Sequence, residues 1–210
     1  MPDRLPLFPL NLVLYPDEAV PLHIFEFRYR EMIQMCMAEN RAFGIVWAPE
    51  SGLMDVGCTA VVTKILDKYE NGEFDVSVTG GRRFRIIETF DNEPYLTADV
   101  AIFGVDEQEQ EVDVKARERL ITQHLKLLEM AGEQIRPEAY QGSRWISFLV
   151  GRNAGLELEQ RQELLEMPTE NERLEFLISH FSDVFSQVER VKQVVELSRG
   201  DGHIDGLPEL

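Results

Sequence analysis

Three blocks decide the fold of this chain: Leu5-Pro6-Leu7-Phe8-Pro9-Leu10, then Leu14-Tyr15-Pro16, then Pro21-Leu22-His23-Ile24-Phe25-Glu26 with Arg28-Tyr29-Arg30. Large apolar residues come in short runs cut by proline, which removes an amide donor and breaks a helix interior. The runs at 5–8 and 20–24 therefore read as strands. Beyond them Phe25, Tyr29, Met32, Ile33 and Cys36 recur at three- and four-residue spacing, with Glu26, Arg28, Arg30 and Glu31 interleaved. That period predicts an amphipathic helix over 25–38. Its Met32, Met35 and Met37 are read as fillers of irregular core space rather than as a recognition surface. Arg4 and the apolar stretch after it imitate the start of a signal peptide. Pro6, Pro9 and Pro16 interrupt it, Asp17 and Glu18 follow, and no small-residue cleavage site is present. No apolar run approaches the roughly 20 residues of a membrane-spanning helix, so a soluble, cytoplasmic protein is expected.

Outward from the opening, further strands are expected at 42–47, 56–66, 74–79, 84–89 and 96–103. Phe74-Asp75-Val76 and Val76-Ser77-Val78 alternate apolar and polar residues, which puts one face on a core. Asn71-Gly72 supplies a hairpin turn, since both residues tolerate positive φ. The character changes near the acidic stretch 106–111, and helical periodicity follows at 112–130, 140–152, 158–166 and 170–197. Thr169 and Glu172 form a capping box. Leu174, Leu177, Phe181, Val184, Val188, Val191 and Val195 then draw a seam along one long helix. The expected organisation is a β-rich domain at 1–105, a helical domain at 106–199 and a tail without fixed structure at 200–210.

The formal net charge is −17, against a phosphate-binding role that needs clustered cations. The two cysteines, Cys36 and Cys58, sit in apolar stretches and read as buried small hydrophobes. His23, His124, His180 and His203 lie in different elements with no metal-ligand spacing, so neither metal nor cofactor is expected. No phosphate-binding loop, dinucleotide fingerprint or nucleophile-elbow motif occurs. Gly80-Gly81 beside Arg82, Arg83 and Arg85 suggests either an anion-cradling nest or, more simply, a turn entering a half-solvated strand. His23, where strand passes into helix, is read as locking a corner by hydrogen bonding.

The opening blocks closely resemble the start of the Lon protease amino-terminal, or substrate-binding, domain. The likeness continues through Phe43-Gly44-Ile45-Val46, Gly57-Cys58-Thr59-Ala60 and Val78-Thr79-Gly80-Gly81-Arg82-Arg83-Phe84, in order, and through Glu163-Leu164-Leu165-Glu166 to Arg173-Leu174-Glu175. It implies an α+β fold: a PUA-like β-barrel with one inserted helix, followed by a C-terminal α-helical bundle. One departure is Phe27, where the family commonly has a proline that presets φ at a first helical turn.

The resemblance also implies non-catalytic binding of unfolded or tagged polypeptides, without the ATPase and Ser-Lys protease domains of full-length Lon, in company with a protease or chaperone. A homo-oligomer stays open. Small-molecule or RNA binding through the barrel, and a cryptic hydrolase, are the alternatives. Candidate ligand-binding residues are Leu10, Tyr15, His23, Glu26, Arg28 and Tyr29 at the barrel–helix junction, with Arg82 and Arg83. Several of them are equally suited to building the barrel.

Overall fold

Alternating apolar residues and tight turns give the first half of the chain its sheet. The computed structural model describes residues 4–103, 111–133, 137–143 and 145–200. In chain order the elements are β1 (Leu5–Leu10), β2 (Ala19–Ile24), α1 (Phe27–Ala38), β3 (Phe43–Trp47), β4 (Val56–Lys68), β5 (Phe74–Phe90) and β6 (Thr97–Ile102). Helices α2 (Val114–Ala131), α3 (Ile146–Gly151), α4 (Leu158–Glu166) and α5 (Glu170–Gly200) follow, with a 3-10 turn at Pro137–Tyr140. This is a mixed α+β fold.

The strands pair in the order β2-β5-β4-β3-β1-β6, and β6 pairs again with β5. The ladders through β5, β4, β3, β1 and β6 thus return on themselves, with β2 attached along the first half of β5. Among the described residues only β1 and β3 run parallel, Leu7 lying opposite Gly44 and Leu10 opposite Trp47. Gly72 turns the β4–β5 hairpin with φ of 84°, as the Asn-Gly pair requires. Inside, Phe8, Ile24, Tyr29, Met32, Ile33, Phe43 and Val76 form one core, against which Met35 and Met37 pack. Helix α1 starts at Phe27 with Glu26 in extended backbone and no side-chain cap, so the absent proline costs no register.

Two expectations are corrected in β5. Residues 74–79 and 84–89 belong to a single 17-residue strand, and Gly80-Gly81 lies in its interior rather than in a turn. The glycine is needed for approach. A Cβ on Gly80 would lie 2.0 Å from the Tyr15 carbonyl oxygen, while the Gly80 amide donates to the Glu18 carbonyl and the Asp17 amide donates to the Gly80 carbonyl, both at 2.9 Å. Nor does Arg83 lie on a half-solvated face, because the helices cover it and leave it 4% exposed.

Helix α2 begins at Asp113, whose carboxylate accepts from the amides of Lys115 and Ala116, and ends at Gly132 with φ of 70°. Glu157 with Gln160, and Thr169 with Glu172, make reciprocal capping boxes for α4 and α5. The helix expected over 140–152 is shorter. Gly142 takes φ of 79°, and the helix starts only at Ile146. The expected boundary stretch 106–110 and the tail at 201–210 lie outside the described residues. Helix α5 spans 31 residues, about 46 Å at 1.5 Å per residue. Of its seam, Leu174, Leu177 and Phe181 are buried, whereas Val191 is 62% exposed.

A second core joins strands to helices, bringing Val13, Tyr15, Trp47 and Val56 against Ile146, Phe148, Leu164, Leu165, Leu174 and Phe181. At its centre Arg83 Nη1 donates to the carbonyls of Leu165 and Met167, each at 2.7 Å. The guanidinium also lies 4.4 Å from the Phe103 ring centroid and 5.4 Å from that of Phe148. Burial first, and the nearby Arg173 charge second, pull the Arg83 pKa down to about 9, so at neutral pH it still holds its proton. Arg83→Ala strands two buried carbonyls and is expected to cost about 3 kcal/mol of stability. The exposed Arg82→Ala should stay within about 0.5 kcal/mol of the parent. Urea unfolding midpoints for the two variants check this, and equal shifts would contradict it.

Candidate cleft at the strand–helix junction

Where β2 gives way to α1, the sheet leaves a cleft of about 520 Å³. One wall is the end of β1, Phe8 to Leu10; another is the β2–α1 passage with His23, Phe25, Glu26, Arg28 and Tyr29; the third is the connection from Asp91 to Leu96. The floor is packed, since the Phe8 and Tyr29 rings meet at 4.3 Å, tilted by 36°, and both are core residues. The rim is open and carries one large apolar ring, Phe25, which is 58% exposed; Phe27 is exposed too but lies outside the lining, beneath the Arg30 guanidinium. The Tyr95 hydroxyl donates to Met35 Sδ at 3.6 Å, which ties the third wall to α1.

Polar groups around the cleft are mostly engaged with one another. Glu26 Oε2 receives Arg28 Nε at 2.9 Å and Nη2 at 2.8 Å, while the guanidinium lies 4.6 Å from the Tyr29 ring centroid. His23 Nδ1 stands 2.6 Å from Asp75 Oδ1, and Nε2 stands 3.3 Å from Glu73 Oε2. The imidazole stacks on Phe25 at 5.9 Å and meets the edge of Tyr69, whose hydroxyl donates to Asp75 Oδ2 at 2.8 Å. The hydrogen bond to Asp75 raises the His23 pKa above its ordinary value, with the charges of Asp75 and Glu73 adding to it against a smaller desolvation effect. In return, His23 and then Tyr69 hold the Asp75 carboxyl below the usual range. This arrangement orients Phe25 at the rim. Asp91 and Glu93 are exposed, and among the described residues no hydrogen bond or ion pair engages either side chain.

Of the residues singled out in the sequence, Leu10, His23, Glu26, Arg28 and Tyr29 converge on this cleft. Tyr15 does not. It is fully buried between strands and helices, its hydroxyl donating to the Arg161 carbonyl at 3.1 Å and its ring 5.3 Å from Phe148. Arg83 is spent on the helix carbonyls, and Arg82 is exposed on β5 outside the cleft lining. Sequence reasoning missed the third wall. Asn92-Glu93-Pro94 marks a turn, but only the single Tyr95 after it signals an aromatic aimed at a cleft.

Burial pushes the thiol of Cys36 up to about 11 and that of Cys58 up to about 12, which keeps both protonated and unreactive. Among the described residues no group of His, Cys, Asp and Glu is placed to hold a metal ion, and no helix is long and apolar enough to cross a membrane.

Fold and cleft together define a mixed α+β domain with an open, aromatic-rimmed groove beside its first helix. The chain belongs to the family described as the ATP-dependent protease La (LON) substrate-binding domain, whose model matches residues 4–183. It is similar to a Lon protease of Escherichia coli strain K12, at 26% identity over 96% of this chain and 28% of that protein. A Lon protease of Cytophaga hutchinsonii is 25% identical over 84% of this chain and 24% of its own length. The chain thus spans about a quarter of these curated relatives. Among solved structures, a Lon N-terminal domain protein from Xanthomonas campestris superposes with a TM-score of 0.67 at 22% identity, covering 84% of this chain and 97% of that one. The N-terminal domain of a Mycobacterium avium complex Lon protease gives 0.62 at 21%, covering 86% and 99%.

Because the folded His23 pKa is raised, its pairing stabilises the fold fully below the unfolded value of about 6.5 and is lost as pH rises through the folded value. Imidazole NMR titration is expected to place His23 above 6.5, and Asp75→Asn to bring it down. An unchanged His23 titration in Asp75→Asn would contradict the assignment of Asp75 as the main cause.

Proposed function

We propose that this chain binds unfolded or tagged polypeptide segments in the cleft beside α1 and does not cut them. The observation that carries the reading is the solvent-exposed ring of Phe25 at the mouth of a groove of about 520 Å³ with a packed aromatic floor. Large apolar side chains held in water beside a concave site mark a place where another chain's apolar groups are buried. Membership of a substrate-binding domain family supports the same reading.

In this picture the β-rich domain, 1–105, presents the cleft and the helical domain, 106–199, clamps it from behind. The chain acts as an adaptor that hands bound segments to a protease or chaperone in the cytoplasm. The arginine cluster adds no support for RNA binding, since Arg83 is consumed in the interior.

Fluorescence anisotropy with a labelled, permanently unfolded protein tests the proposal. Saturable binding is expected, and Phe25→Ala should weaken it about tenfold, as for an aromatic anchor at the centre of a contact. The fold should survive, because Phe25 is largely exposed. Binding that never saturates, or that Phe25→Ala leaves unchanged, would remove the cleft from the mechanism.

A further inference from the structure

Resting on the cleft as a polypeptide site, we infer that it selects segments in which an aromatic or long aliphatic residue is flanked by lysine or arginine. The argument is the charge inventory around the apolar groove. Each cation at the cleft is already answered: Arg28 by Glu26, and His23 by Asp75 and Glu73. Arg30, one turn away, donates to the Asn71 carbonyl at 2.9 Å and lies over the Phe27 ring at 5.5 Å. Asp91 and Glu93 line the same groove, exposed and without an ion pair among the described residues.

The lip and the aromatic rim bound the same groove, Phe25 and the 91–96 connection both belonging to its lining. A volume near 520 Å³ accommodates one or two large side chains rather than a folded surface. A segment seated by an aromatic side chain therefore carries its neighbouring residues past Asp91 and Glu93. Cationic neighbours gain two ion pairs there, and acidic neighbours meet two like charges in addition to a net charge of −17. Each exposed pair is worth up to about a fivefold change in affinity, and the gain falls with ionic strength.

The test uses three fluorescent peptides with one shared Phe/Leu core and flanks of lysine, glutamine or glutamate, titrated with the full chain at about 50 mM and about 300 mM salt. The lysine-flanked peptide should bind about tenfold tighter than the glutamine one at low salt, and the glutamate-flanked peptide weakest. The spread should narrow at high salt. In Asp91→Asn/Glu93→Gln the lysine preference should collapse, whereas Glu50→Gln/Glu175→Gln, which removes the same charge from exposed sites outside the cleft lining, should keep most of it.

Equal affinities for the three peptides, or a preference that survives Asp91→Asn/Glu93→Gln intact, overturns the inference. If all three bind equally and Phe25→Ala weakens all of them, the cleft remains a polypeptide site and only the charge selection falls. If none binds, both readings fall together.

Discussion

A guanidinium buried between a strand and the end of a helix has to find acceptors, and Arg83 finds them in the last turn of α4 and just beyond it. Taking that charge out of water is costly, and the two carbonyls with the rings of Phe103 and Phe148 offset the cost only when α4 sits in one place. Once α4 is placed, Met167 also accepts from Arg173 at 2.9 Å, and Arg173 is held in turn by Glu170 and Ser147. The start of α5 and, through Ser147, the first turn of α3 are thereby tied to the middle of β5. Gln162 Nε2 adds a bond to the Val56 carbonyl, and Arg161 bonds the Val13 carbonyl and the Glu18 carboxylate. One face of the sheet is sealed by this contact. The cleft opens elsewhere, at the β2–α1 passage, on a scaffold held from behind.

Much of this architecture was legible because it is local. Alternation placed the strands within a few residues, the Asn71-Gly72 turn is where its chemistry demands it, and of the periodic set Phe25, Tyr29, Met32, Ile33 and Cys36 all but Phe25, which precedes the helix and is exposed, lie in the core. The misreadings share one physical cause. Gly80 looked like punctuation because a glycine shows only that a Cβ is unwelcome, and here the obstacle is the Tyr15 carbonyl, 65 positions away. Arg83 looked solvated because its charge is visible in sequence while its acceptors, 82 and 84 residues further along, are main-chain oxygens that no side chain announces. The cleft was half legible for a related reason: the opening residues fall in recognisable runs, whereas Asp91 to Leu96 has neither period nor motif.

The charges at the two sites behave in opposite ways. In the interior Arg83, Arg161 and Arg173 are held by carbonyls, rings or carboxylates, so position is specified tightly and solvent is excluded. At the cleft the pairs are exposed and worth little singly, and what they set is orientation: His23 aims Phe25, and Glu26 restrains Arg28 over Tyr29. Rigid interior and adjustable rim suit a groove that meets segments of varied sequence.

The main-chain nature of the inner acceptors has a consequence for divergence. Arg83, Arg152, Arg161 and Gln162 each donate to a backbone oxygen, of Leu165 and Met167, Pro16, Val13 and Val56 respectively. Any amino acid at an accepting position offers the same oxygen, so substitution there is limited by packing alone, while the donors have no ready substitute. An interface written this way lets sequences drift apart at half its positions without altering how strands and helices meet, in keeping with a shared fold at 22% identity.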